Sequence, residues 1–499
     1  MSSIIKESLK TSGINYVGIL LGAFFTLYLT PKYFPTEYNG LLRLLLEYSA
    51  IAAIYFHFGL PTLINKYYHR VHGELAIVKG FDFLVFICPL IVLTVFSVIL
   101  SLYKAEVAQL ISSKKNLDII IKYLLFLIPL VVCNAYFFVF EAYSAMLGNI
   151  TFINFFKNII LKLFNIFSVL LFVYTRRFEL VLIVVSIGYV LSTVIVFFYI
   201  LKLKNFKIDV TPSLDFLRKN NLLKDFVKFF LFLCLSNLTF FLLSKIDIFF
   251  VGKFTDLSNL AYYSTATYFV TLLLVPYSAV LNISFPRIAK SYAVGDINTL
   301  KELIVTNSIF GFVLALYVFI VIWTNLDIVY NYIPNGELYK SGKYIFLILS
   351  VGRLIDISIG SIGQLITISK WYFYTLFGSI IISVVSIVAG YLLTKNYGII
   401  GAASSITVCV IISVLFQLGV AKVKIGITPY TSKILIVMVI MPVIVIICYM
   451  IDSVLGLSPV MFLAKIFLTT ILYFYVVYRF KVSSEIVLII DRMKSIILK

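Results

Sequence analysis

Arg353 and Asp356 stand three residues apart in the apolar run YIFLILSVGRLIDISIGSIGQLITISK, Tyr344–Lys370. A run of this length can cross a bilayer, which takes about 20 residues. A charge near its middle is costly, so an ionisable group there marks a polar path by default. An arginine so placed can grip a phosphate with two parallel hydrogen bonds. A carboxylate beside it can take up a proton or balance a cation. On a straight helix, Arg353, Asp356, Gly360, Gly363, Gln364 and Thr367 fall within an arc of roughly 100°. Val351, Leu354, Ile355, Ile359, Ile362 and Ile366 take the other side. The plainer alternative is a buried structural pair at i and i+3.

Other polar residues inside apolar runs are fewer. Arg43 and Glu47 stand at i and i+4, and Arg43 suits an end-of-helix anchor as well as a cavity. Lys245 and Asp247 point about 200° apart on a helix, so they are not a pair. Asp247 shares its face with Ser236, Asn237 and Ser244, which favours it for the cavity, while Lys245 is expected to snorkel outward. Asn134 lies mid-run, where a helix–helix hydrogen bond is its ordinary use. Lys157 and Lys162 are expected to reach the headgroups. The cavity set is therefore Arg353, Asp356, Gln364, Arg43, Glu47, Asn237 and Asn134, with Asp247 and Asp356 as ion-coupling candidates. The five cysteines lie in apolar runs without CxxC spacing and read as small buried hydrophobes. His69 and His72 form HxxH without a third ligand, so no metal site is expected. No nucleophile–His arrangement or DxD motif appears, so neither catalysis nor a resident cofactor is expected.

The elements that must position these residues are membrane spans. The 499 residues are 62% hydrophobic and 13% charged, too apolar for a water-facing surface. The expected fold is all-α and polytopic, with about fourteen transmembrane helices. The polar stretch Leu201–Lys224, with six basic residues and Pro212, reads as a cytoplasmic linker. It divides an N-terminal six-helix lobe (1–200) from a C-terminal one (225–424), followed by two extra helices and a tail (425–499). The first apolar run carries no cleavage signal and reads as an uncleaved helix. With both ends placed inside, more than twice as many Lys and Arg fall in inner loops as in outer ones. That bias, rather than nucleic acid, accounts for the net charge of +19 and predicts contact with anionic lipid. Thr30 onward resembles Val251 onward, and Val173 onward resembles Leu392 onward. Both offsets are about 220 residues, the mark of a parallel repeat with sites expected between the lobes.

Four further motifs carry a resemblance. They are Lys245-Ile246-Asp247-Ile248-Phe249-Phe250-Val251-Gly252, then Leu260-Ala261-Tyr262-Tyr263-Ser264, then Phe285-Pro286-Arg287-Ile288-Ala289-Lys290 with Gly295-Asp296, then Gly398-Ile399-Ile400-Gly401-Ala402-Ala403. With Gly40-Leu41-Leu42-Arg43 in the first half, their order and spacing resemble the lipid-linked oligosaccharide flippases. These are the O-antigen-type polysaccharide transporters of the multidrug/oligosaccharidyl-lipid/polysaccharide exporter superfamily. The resemblance implies a non-enzymatic protein of the bacterial inner membrane. It would carry polyprenyl-pyrophosphate-linked oligosaccharide to the outer leaflet by alternating access, for O-antigen, capsule or exopolysaccharide. It further implies lipid and lipid-linked substrate as partners, other polysaccharide-assembly membrane proteins as candidates, and no nucleic acid. H+ or Na+ stays open as coupling ion. A cation-coupled multidrug exporter and a peptidoglycan-precursor flippase of the same superfamily are the alternatives. A membrane polymerase or glycosyltransferase is disfavoured.

Overall fold

The computed structural model describes residues 2–57, 59–64, 81–147, 149–203, 245–430, 432–455 and 458–497. Among them all regular elements are helical. Hydrocarbon offers no partner for backbone N–H and C=O groups, and a helix satisfies them internally. Among the described residues, nine helical stretches are long and apolar enough to cross a membrane, or ten with one bent pair. One of the nine, Phe373–Ile425, holds two spans, and Thr36–Phe56 and Leu257–Val294 have the length but a more polar sequence. The chain is an all-α, multi-pass membrane protein, consistent with the expected number of spans. The linker is outside the described residues from 204 onward, as are Asn237, Cys234, His69 and His72.

Contacts divide the chain into two units, Met1–Ala261 and Tyr262–Lys499. In the first, α1 (Ser2–Ala23) runs through a π-turn, Phe24–Leu29, and is followed by α2 (Thr36–Phe56), α3 (Phe81–Leu102) and the short α4 (Lys104–Ile111). Next come α5 (Leu127–Met146), α6 (Leu161–Thr175) after a π-turn at Phe156–Ile160, and α7 (Phe178–Lys202). The core gathers Phe137, Phe140 and Tyr143 of α5 with Val85 of α3 and Val196 and Ile200 of α7.

A helical segment at 245–254 belongs to this unit, because α2 lies closely along it and the residues after it. The Tyr48 hydroxyl donates to the Phe249 carbonyl at 3.2 Å, and Thr36 Oγ1 is 2.9 Å from Ser258 Oγ. A Cβ on Gly40 would come within 1.8 Å of the Leu257 carbonyl oxygen. That approach explains why the Gly40-Leu41-Leu42-Arg43 motif opens with glycine.

In the second unit, α8 (Leu257–Val294, which begins in the first) and α9 (Ile297–Tyr332) meet at Gly295-Asp296, where a turn is expected. The Asp296 carboxylate caps α9 by accepting from the Thr299 N–H at 3.1 Å. Hydrogen bonding from the Thr299 side chain, and then from its N–H, holds the carboxyl below its ordinary pKa. Then come α10 (Gly342–Ser358), α11 (Ile362–Ile368) and α12 (Phe373–Val420). The last is interrupted at Gly398, which has φ 58° and ψ −136°. A Cβ on Gly401 would lie 1.9 Å from the Leu393 carbonyl oxygen. Eight residues along a straight helix are about 12 Å apart, so the chain doubles back at Gly398. The stretch 373–420 therefore holds two spans, one on each side of Gly398.

The last helices, α13 (Ser432–Leu455), α14 (Pro459–Arg479) and α15 (Ser484–Ile497), pack on α9 and on one another. Lys465 of α14 is fully buried and donates to the Thr324 carbonyl at 2.6 Å and to the Asp452 carboxylate at 2.9 Å. Tyr473 donates to the Val313 carbonyl at 2.7 Å, and Tyr317 Oη is 2.8 Å from Thr470 Oγ1. Such polar pins hold helices together where no hydrophobic force separates helix from lipid.

Gly40→Ala is expected to destabilise the protein by about 1–3 kcal/mol, the usual cost of overpacking a tight contact. Gly419→Ala, with nothing within 4 Å of the added methyl, is expected to be neutral or slightly stabilising. Thermal unfolding in detergent, followed by loss of monodisperse protein, checks both.

Candidate functional site

The run that holds Arg353 is not one straight helix. It breaks between α10 and α11 with a bend of 52°. At the break Gly360 sits at φ 59°, a left-handed conformation that suits glycine. A Cβ there would meet the Ser308 backbone nitrogen at 2.8 Å. The carbonyls freed by the break find side chains from the packed helices. Tyr277 Oη donates to the Gly360 carbonyl at 2.7 Å, and Ser308 Oγ donates to the Ser358 carbonyl. Asn307 Nδ2 donates to Ser284 Oγ at 2.8 Å and to Ser361 Oγ at 2.9 Å. Gly311 leaves room for the Tyr277 ring, which a Cβ would approach to 2.7 Å.

This corrects the polar arc expected from a continuous helix. Arg353 and Asp356 keep their shared face on α10, but the left-handed residue and the bend put Gly363, Gln364 and Thr367 in a different phase. Gln364 Oε1 is buried without a hydrogen-bond partner on α11. Arg353 Nη1 is 3.7 Å from Asp356 Oδ2, with about a third of each side chain exposed. That distance is an ion pair without a tight hydrogen bond.

In the first unit the structure assembles charges that lie far apart in the sequence. Arg43 and Glu47 share a face of α2, one turn apart. Arg43 Nη2 donates to Thr26 Oγ1 at 2.7 Å, and its guanidinium lies 5.2 Å over the Phe25 ring. Both partners sit in the π-turn of α1. Glu47 Oε2 is 2.6 Å from Lys245 Nζ, and both side chains are about one-third exposed. Lys162 of α6 stands within electrostatic reach of both Arg43 and Glu47. Among the described residues, one carboxylate is thus set among three cations at this place.

Three expectations change here. Lys245 does not snorkel, because the Glu47 carboxylate offers it a closer counter-charge than the headgroups do. Lys157 pairs with Glu141 of α5 at 2.7 Å. Lys162 lies within electrostatic reach of Arg43 and Glu47. Lys162 and Lys245 were missing from the candidate set because each stands near the end of its run, and only the folded chain shows what faces it. Asn134 Nδ2 donates to Ser49 Oγ at 3.0 Å, its ordinary helix–helix use. Asp247 is 6% exposed and buried in the first unit.

A half-buried cluster with more cations than carboxylates can hold an anion. Arg suits a phosphate by its planar fork, and Lys supplies compact charge. No family model and no curated protein sequence matches the chain. Solved structures that share its fold include two transport proteins. One is the lipid II flippase MurJ in an inward closed conformation, with a TM-score of 0.76 at 15% identity, covering 95% of this chain and 98% of that one. The other is an inward-facing multidrug resistance MATE family transporter of the MOP superfamily, with a TM-score of 0.61 at 14% identity over 83% and 94%. The likeness is one of fold.

Removing one partner of the Glu47–Lys245 pair is expected to cost roughly 1–2 kcal/mol. That is below the cost for a fully buried pair, because water reaches both groups. Glu47→Leu and Lys245→Leu should each lower the melting temperature more than the double variant does. Strictly additive losses would show that the pair is not coupled.

Proposed function

We propose that this protein moves a polyprenyl-pyrophosphate-linked oligosaccharide from the cytoplasmic to the outer leaflet of the bacterial inner membrane, for surface polysaccharide assembly. The supporting observation is the cluster of Arg43, Lys162 and Lys245 around Glu47. A pyrophosphate linked to sugar and lipid carries about two negative charges, and hydrocarbon cannot accept them bare. Cations at membrane depth lower that cost, and a phosphate held there competes with Glu47 for Lys245. The lipid tail needs no such site and stays in the bilayer during alternating access.

A peptidoglycan lipid-precursor flippase is the second reading, favoured by the fold shared with MurJ. It asks for the same pyrophosphate chemistry and differs in the sugar. A multidrug exporter has the MATE likeness on its side. A cationic drug, however, would need a carboxylate surplus, and Glu47 is already engaged by Lys245. Asp247 and Asp356 are the proposed coupling acids for H+ or Na+. Arg353 is a second proposed phosphate ligand.

Reconstituted protein is expected to flip a fluorescent lipid-linked oligosaccharide. Lys162→Gln/Lys245→Gln should lower the rate at least tenfold, the equivalent of about 1.4 kcal/mol in the barrier. In cells, deletion should remove surface polysaccharide without lysis. Lysis with accumulated peptidoglycan precursor would select the second reading, and extrusion of cationic dyes the third.

Arg353 permits a separate test. Arg353→Ala and the double variant Arg353→Leu/Asp356→Leu should both lose export at normal protein level, with Arg353→Lys in between. Full export by the double variant would leave Arg353 as a structural partner of Asp356.

A further inference from the structure

In the second unit the helices alternate in direction, so their ends sort to two faces. The Val294–Ile297 joint, the end of α11, the start and end of α12, and the end of α14 share one face. Two loops meet there. The turn after α11 carries Lys370, Trp371 and Tyr372. The π-turn that ends α12, Ala421–Ile425, carries Lys422 and Lys424. The Lys370 ammonium lies 5.3 Å from the Trp371 ring centroid and the Lys424 ammonium 5.2 Å from it. Lys424 is also 5.9 Å from the Tyr374 ring. The turn is held in place, since the Lys370 N–H donates to Tyr292 Oη at 3.0 Å and the Trp371 N–H to Ser369 Oγ at 3.1 Å.

One indole therefore collects two ammonium groups. Neither has a carboxylate within ion-pair distance among the described residues. Each cation gains from the ring face, but the two repel each other. Both lysines and Lys422 are exposed, as are Tyr372, Phe373 and Val423 beside them. A patch of two uncompensated cations bordered by exposed apolar side chains matches a molecule with an anionic head and a hydrocarbon body. Tryptophan and tyrosine sit by preference at the headgroup level of a bilayer. The same face carries Arg287, Lys290, Lys433 and Arg479, whereas at the opposite ends of these helices Lys340 and Lys343 are paired with Glu337 and Asp327.

We propose that Lys370, Trp371 and Lys424 form a binding site for the phosphate of an anionic phospholipid in the leaflet that borders this face. The phosphate bridges the two ammonium groups. Trp371 lies at the glycerol level, and the acyl chains descend along Phe373 and Val423. The site concerns a lipid that stays in place, and it is independent of what the protein transports.

The chain has two tryptophans, so Trp323→Phe leaves Trp371 as a fluorescent reporter. In phosphatidylcholine nanodiscs, a minor fraction of phosphatidylglycerol brominated near its glycerol should quench Trp371. It should do so at roughly a tenfold lower fraction than brominated phosphatidylcholine, as two lysines at a bilayer surface can give. Lys370→Gln/Lys424→Gln should abolish that preference. The unsubstituted chain, released from mixed nanodiscs into a mass spectrometer, should likewise retain phosphatidylglycerol over phosphatidylcholine. Equal quenching by the two lipids overturns the proposal, and so does a preference that survives the double substitution. Relief of quenching by inorganic phosphate in the buffer would assign the site to a free anion and overturn it as well.

Discussion

Hydrocarbon has no hydrogen bonds to offer, and the break between α10 and α11 is built to answer that. Where α10 stops short of α11, the released carbonyls of Ser358 and Gly360 are taken by Ser308 and Tyr277. Asn307 ties the far side of the break to Ser361. The break is thus a property of four helices, since α8 and α9 supply the donors that α10 and α11 lack. Losing the Tyr277 hydroxyl would strand a carbonyl inside the unit. The small residue at 311 matters for the same reason, because it admits the ring that carries that hydroxyl.

Charges obey the same constraint and sort into two kinds. Lys465 is fully enclosed with Asp452 and the Thr324 carbonyl, a closed set that binds α13 and α14 to α9. Lys343 is gripped by Asp327 between Trp323 and Tyr449, with both side chains partly exposed and one charge balancing the other. The Arg43–Lys162–Glu47–Lys245 group is also partly exposed, but among the described residues it holds more cations than anions. A closed pair holds helices together, while an open surplus invites an anion.

Much of this was legible in the sequence, and the illegible part has one cause. Apolar runs locate the spans because burial in lipid needs little beyond length and composition. Gly295-Asp296 announces the α8–α9 joint. The face of α10 beyond Gly360 was misread because helical periodicity presumes an unbroken helix. Nothing in the local sequence distinguishes a glycine that turns the chain from one that rides along. The Glu47–Lys245 pair spans 198 residues. Lys245 alone looks like a residue reaching for the headgroups and Glu47 alone like a partner of Arg43 in its own helix, so their meeting is a fact of packing that no periodicity contains.

The reversal at Gly398 has a consequence for how the chain is made. The two arms of α12 are joined without a loop, and Lys395 is the one charged residue near the bend. A translocon passing this segment has no hydrophilic stretch to thread through its pore, and an arm released alone would leave the bend without its partner. With no loop to separate them, the two arms are suited to entering the bilayer together as a helical hairpin, so that residues 373–420 act as one unit of insertion.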